Sequence, residues 1–310
     1  MSDILQYLPF NSYRKYLRPA SDRVMGLLTH VAELEWQDGE IRESYVKFYD
    51  HEKKRGLLNE AIGFLLISTQ DLPQPEFGGF LEFEISPDMD TELWSGVSDV
   101  DRYRGKTLAW VTSDTKGINR KLEYENTDND EIKKYIEEQL YLSLKNWSQL
   151  QNLIMCDDWL INPDRNLGNL LELPNRTFTL IDHGNILCGN DWSPWQIMQN
   201  NTVNSGLHRW YCTILKDSVD EPLFWLPTVT QKLLDAKLNH LPGFLIIKNE
   251  LLELLDMFLD GEFVDLGLPQ TGKIRVSEII YDYLDVSAAR IIDIEAKCEL
   301  WLSANQTPTA

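Results

Sequence analysis

Apolar and polar positions change period several times along the 310 residues, and each change marks an element. Residues 27–36 and 43–48 (ESYVKF) alternate as strands, and Asp38-Gly39 between them carries the signal of a two-residue hairpin turn. Residues 57–66 (LLNEAIGFLL) form an apolar helix interrupted by Glu60, and Leu72-Pro73-Gln74-Pro75 then breaks the pattern. Alternation returns over 76–85 and 106–112, on either side of a polar stretch, 86–104, that reads as an insertion or loop. A long three- and four-residue period through Ile132, Tyr135, Ile136, Leu140, Leu144, Trp147 and Leu150 predicts one helix over 131–155. Leu170-Leu171 and Phe178-Leu180-Ile181 read as a short strand pair turning at Pro174-Asn175. Helical periods resume at 227–238, at 245–259 with Gly261 as a stop, and at 276–302 as two possible helices. The first twenty residues suit an entry strand or a docking extension, and the polar end, 303–310, suits disorder.

The stretch 156–184, CDDWLINPDRNLGNLLELPNRTFTLIDHG, places candidate chemistry on this frame. Asp164 precedes Asn169 by five positions, the strand pair follows, and Asp182 comes just after it. Phosphoryl transfer from ATP needs these parts: a carboxylate to orient and deprotonate the attacking hydroxyl, and an amide oxygen with a second carboxylate to hold Mg²⁺. A polar surface hairpin whose Asp and Asn cap turns is the structural alternative. The first half of the chain supplies a strand lysine, Lys47, and a helix glutamate, Glu60, the pair that such a site uses on the α- and β-phosphates. Glu60 lies among apolar neighbours, where an unpaired carboxylate is costly. Residues 21–26 (SDRVMG) occupy the place of a phosphate-covering loop, with Ser21 and Gly26 as candidate cofactor contacts. One glycine is sparse for a backbone that approaches phosphate, so an ordinary turn is the alternative there. Trp110 suits either the adenine side of a cleft or simple core packing, and Arg165 suits a salt bridge or a substrate contact.

The ordered motifs YVKF, NEAIGFLL followed by LPQP, NPDRNLGNLL and LIDHG resemble the HipA-like kinase family, small bacterial relatives of the toxin kinase HipA. The resemblance covers about residues 20 to 190. It implies an α+β, bilobal protein-kinase-like fold, with a β-rich small lobe at 1–114 and a helical large lobe at 115–310. It also implies that Asp164 is the catalytic base, that Lys47 contacts ATP phosphates with Glu60 as its anchor, and that Asn169 and Asp182 bind Mg²⁺. The acceptor it implies is a Ser or Thr hydroxyl on a protein, with an antitoxin or regulatory protein as a further partner. His183 stands where Phe is usual in protein kinases, and no Ala-Pro-Glu follows, which puts activation-loop control in doubt.

Composition narrows the setting. Lysine and arginine number 29 against 49 acidic residues, a net charge of −20 that disfavours a nucleic-acid surface. Four cysteines, Cys156, Cys188, Cys212 and Cys298, lack metal or disulfide spacing. Neither a secretory leader nor an apolar run of membrane length is evident, so the expected setting is the cytoplasm without membrane contact. The rival from another class is a pseudokinase, a binding or regulatory module that keeps the fold; a small-molecule kinase would use the same cleft.

Overall fold

The computed structural model describes residues 4–20, 29–49, 55–85, 105–190, 192, 197, 231–259 and 270–289. The chain is α+β, with a six-stranded sheet built first and most of the described helices after it. Strands β1 (Leu5–Leu8), β2 (Tyr13–Pro19), β3 (Thr29–Glu35), β4 (Ile41–Lys47), β5 (Gly78–Ile85) and β6 (Gly105–Ser113) lie in the order β1-β5-β6-β4-β3-β2. Only β1 and β5 pair in parallel; the other neighbours are antiparallel.

The first twenty residues are thus neither a single strand nor an extension. They supply both edges of the sheet, joined by one 3-10 turn, Phe10–Ser12. The sheet curls to allow this, bringing Phe10 and Tyr13 edge-on to Phe83 of β5 with ring centroids 5.8 and 5.1 Å apart. The concave side is filled by Leu8, Ala32, Leu34, Trp36, Val46, Phe48, Leu81, Phe83, Ala109 and Val111. The hairpin turn falls at Asp38-Gly39 but is one residue longer than the two-residue turn expected. Trp36 and Glu40 close it around Gln37, Asp38 and Gly39, the Gly39 amide donating to the Trp36 carbonyl, because only Gly39 takes a positive φ (+83°) while Asp38 accepts the Glu40 amide and both Arg42 terminal nitrogens.

Helix α1 (Arg55–Ile67) packs on the other side of the sheet. Apolar residues occupy most of its circumference, and twelve of its thirteen residues are buried, Asn59 and Glu60 among them. Later helices cover it, so one core runs from the sheet through α1 into the helical part. The helix predicted over 131–155 is two helices, α3 (Asp130–Asn146) and α4 (Leu150–Trp159). The apolar period continues in phase across the break, which is why the pattern hides it. The chain leaves helical geometry at Trp147 (ψ 114°), whose buried ring packs 5.3 Å from Phe178. A short helix, α2 (Arg120–Asn126), precedes them on an Asn119 cap; it buries no residue and so left no apolar period to find.

The predicted hairpin is present as β7 (Leu170–Glu172) and β8 (Phe178–Leu180). Residues 231–238 are helical, followed by α5 (His240–Leu259) and α6 (Gln270–Ala289), the latter beginning six residues before the sequence expectation of 276. Phe258 of α5 meets Phe80 of β5 at 5.1 Å, and Trp159 donates its indole N–H to the Leu284 carbonyl of α6. Residues 86–104 and the phosphate-loop candidates Ser21 and Gly26 lie outside the described residues.

Candidate active site

The strand lysine, the helix glutamate and the post-hairpin aspartate converge. Lys47 Nζ lies 2.9 Å from Glu60 Oε1 and 2.6 Å from Asp182 Oδ1, although 13 and 135 residues separate them in sequence. β4 aims Lys47 across the sheet, α1 offers Glu60 from below, and the turn after β8 swings Asp182 in. Glu60 is satisfied on both oxygens: Tyr49 donates its hydroxyl to Oε1 at 2.7 Å, and the His183 amide donates to Oε2 at 2.7 Å. A carboxylate in so apolar a helix persists only with such partners.

The electrostatics follow from crowding three charges out of water. Burial alone would depress the Lys47 ammonium, but Asp182 and Glu60 together outweigh it and hold its pKa well above the ordinary lysine value. Burial would raise Asp182, and Lys47 overrides it, leaving that carboxyl below its usual range. For Glu60 burial wins over Lys47, and its pKa stays raised. Asp182 is the more ionised of the two carboxylates, and its side chain is still 34% exposed toward the cleft. It takes a positive φ of 62°, which Asp tolerates better than most residues.

A buried network behind Asp182 sets its position. Arg165 is fully buried and bonds Asp157 through Nε, 3.1 Å from each carboxylate oxygen. It also donates to the Ile181 carbonyl at 2.9 Å and faces His183 Nδ1 at 3.2 Å. The salt-bridge alternative for Arg165 is therefore the one realised. His183 is buried, and that burial, with Arg165 beside it, drives its pKa well below the ordinary value and keeps the ring neutral. It rests on Gly63 of α1, where a Cβ would come 2.4 Å from His183 Cβ. Asn59, the neighbour of Glu60, donates to the carbonyls of Gly184, Ile186 and Gly189 and accepts from the Trp192 indole, tying the segment after Asp182 to α1.

Asp164 and Asn169 lie on one loop. Asn169 Nδ2 and Asn166 Nδ2 both donate to the Asp164 carbonyl, at 3.2 and 2.8 Å, and the Ile181 amide donates to the Asn169 carbonyl at 3.1 Å. That last bond places Asn169 beside Asp182. The Asp164 carboxylate is exposed and accepts from Asn185 Nδ2 at 2.7 Å. It stands apart from the residues that line the cleft.

The cleft has a volume of about 640 Å³ and is bounded by Thr29, Tyr45, Lys47, Trp110, Leu171 and Asp182 among others. Ala20 and Thr29, the described residues next to the loop of Ser21 and Gly26, both line it. Trp110 is chiefly a packing residue, 4% exposed and edge-on to Phe64 and Phe80. The sequence pointed to Lys47, Glu60, Asn169, Asp182 and Asp164. It missed Tyr49, Asn59, Asp157 and Asn185, whose roles are set by the partners the fold gives them: Glu60 for Tyr49, Arg165 for Asp157, Asp164 for Asn185, and the segment after Asp182 for Asn59.

Mg²⁺ chemistry asks for hard oxygen ligands, few of them from protein. Asp182 and Asn169 offer one carboxylate and one amide oxygen, since Asn169 commits its nitrogen to Asp164. No cluster of three or more His, Cys, Asp or Glu suited to a metal occurs among the described residues, so a site of the zinc type has no support there.

No family model and no curated protein matches the chain. Among solved structures it is similar to a MAP kinase from Leishmania major, at 13% identity over 94% of this chain and 83% of that one, with a TM-score of 0.29. A likeness of that size carries no weight beside the geometry of the site itself. No described helix is long and apolar enough to cross a membrane.

Proposed function

We propose that the protein is an ATP- and Mg²⁺-dependent phosphotransferase of the HipA-like kinase type, acting on a Ser or Thr hydroxyl of a protein. The observation that carries this reading is the convergence of Lys47, Glu60 and Asp182 at 2.6–2.9 Å with Asn169 alongside, in a cleft large enough for a nucleotide.

In this reading Lys47 holds the α- and β-phosphates and Glu60 fixes the lysine. Asp182 and the Asn169 amide oxygen hold Mg²⁺, whose charge offsets that of the phosphates when it is bound. Asp164 accepts the proton of the acceptor hydroxyl as the new oxygen–phosphorus bond forms, and the bond to ADP breaks with its electron pair leaving on ADP. Catalysis is then positioning and charge neutralisation. The acidic chain suits a basic protein acceptor, and an antitoxin-like or regulatory partner belongs to the same reading.

A second reading, a pseudokinase module, is favoured by the place of Asp164, which is exposed, bonded to Asn185 and off the cleft wall. Catalytic hydrogen bonds tighten on substrate binding, so this placement does not exclude transfer. The deciding experiment is label transfer from γ-labelled ATP with Mg²⁺, to the protein itself and to a cell lysate, for wild type beside Asp164→Ala and Asp182→Ala. Labelling that both folded variants lose supports the kinase. ATP binding without labelled protein points to a small-molecule acceptor or to the pseudokinase.

A further inference from the structure

Lys121 is the second cation of the cleft and has a different standing from Lys47. Among the described residues that line the cleft, Glu60, Glu125 and Asp182 oppose only two ammonium groups, Lys47 and Lys121. Lys47 is committed to two carboxylates. Lys121 makes no ion pair with a carboxylate among the described residues; its Nζ lies 3.3 Å from the Asn166 side-chain oxygen.

Its placement is built in. Asn119 caps α2 by accepting the Leu122 amide with Oδ1, and donates Nδ2 to the Gly168 carbonyl at 3.0 Å. One side chain thereby fixes α2 against the loop that carries Asp164 and Asn169. Gly168 leaves the room that the lysine occupies, since a Cβ there would stand 3.2 Å from Lys121 Cδ and 3.8 Å from Nζ. Asn166 is held from the other side, accepting the Gly168 amide at 2.8 Å and donating to the Asp164 carbonyl. The ammonium group is therefore held one residue from Asn169 and two from Asp164 along the loop.

We propose that Lys121 contacts the terminal phosphate of ATP and stabilises the charge that builds on its oxygens during transfer. The assignment rests on the phosphotransferase reading above and adds a residue to it. The γ-phosphoryl group passes from the β–γ bridging oxygen to the acceptor oxygen, the acceptor proton goes to Asp164, and Lys121 neither gains nor loses a proton. Lys121 then separates ATP from ADP, which Lys47 on the inner phosphates does not do.

The test uses the full chain as wild type, Lys121→Met and Lys121→Arg, titrated calorimetrically with Mg²⁺ and either ADP or a non-hydrolysable ATP analogue. The lysine is exposed, so both variants are expected to fold with the wild-type melting temperature. The wild type should prefer the ATP analogue. Lys121→Met should lose about tenfold of that preference with ADP affinity unchanged, and Lys121→Arg should keep most of it. Label-transfer kcat should fall by about tenfold or more in Lys121→Met, with a smaller change in KM. A methionine variant with unchanged preference, or a wild type that binds both nucleotides equally, overturns the Lys121 assignment and leaves the phosphotransferase reading standing. A wild type that binds neither nucleotide overturns both.

Discussion

Arg165 and Asp157 form a buried ion pair eight residues apart, with the guanidinium Nε 3.1 Å from each carboxylate oxygen and neither side chain exposed. Removing one partner leaves the other charge unpaired in the core. Arg165→Met and Asp157→Asn are each expected to cost about 3–5 kcal/mol, and the double variant less than the sum. Urea unfolding of the three proteins measures this; additive costs would show that the pair is not coupled.

Within the lysine triad the two carboxylates should separate by consequence. Asp182→Asn removes a proposed metal ligand and should abolish transfer while the fold survives, because Asp182 is partly exposed. Glu60→Gln keeps a hydrogen-bond acceptor for Tyr49 and should lower transfer by about 10–100-fold, mainly by loosening Lys47. Steady-state kinetics with folded variants decides; equal losses would contradict the assigned roles.

Gly63 is a close-packing glycine under the Asp182 turn. A methyl group at Gly63 would meet His183 Cβ at 2.4 Å, and neither the helix nor the pinned His183 can easily yield. Gly63→Ala is expected to destabilise by about 1–3 kcal/mol and to weaken Mg²⁺-ATP binding, since His183 moves Asp182 with it. A thermal shift paired with a nucleotide titration checks both parts. Loss of stability with intact binding would uncouple the packing from the site.

Stability should fall as the solution is acidified, and buried histidines give the sign. Burial lowers His30 from 6.5 to about 4, and burial lowers His183 and His240 well below the ordinary value. Below pH 6.5 the unfolded chain therefore binds protons that the folded chain refuses, and stability declines as pH drops from 6.5 toward 4. Each such histidine contributes a slope of about 1.4 kcal/mol per pH unit. His30→Phe should remove one histidine's share, measured as the difference in unfolding free energy between two pH values; an unaltered slope would show that His30 does not titrate on unfolding.

Much of the fold was written in local period. The β3–β4 turn at Asp38-Gly39, the apolar helix around Glu60 and the β7–β8 hairpin all depend on neighbours within a few residues, and the sequence shows those directly. The break at Trp147 was hidden because the helical period stays in phase across it, and what opens the helix is a ring contact with Phe178. Lys47, Glu60, Asn169 and Asp182 could be picked out by residue type and order. Tyr49, Asn59 and Asn185 could not, because an amide or phenol acquires a role only from its partner, and the partners of Asn59 lie 125 to 133 residues away. The curled sheet was equally out of reach, since nothing local says that β1 and β2 close opposite edges.

Helix α1 is enclosed by the sheet on one side and α5 on another, and Asn59, Glu60 and Gly63 bind it to the turn after Asp182. Many two-state enzymes keep one helix loose so that an outside signal can slide it in or out of register. Here sliding α1 by one turn would strip three carbonyls, a carboxylate and a glycine contact together. Moving α1 away from Lys47 therefore costs the Lys47–Glu60 pair and all of these contacts at once.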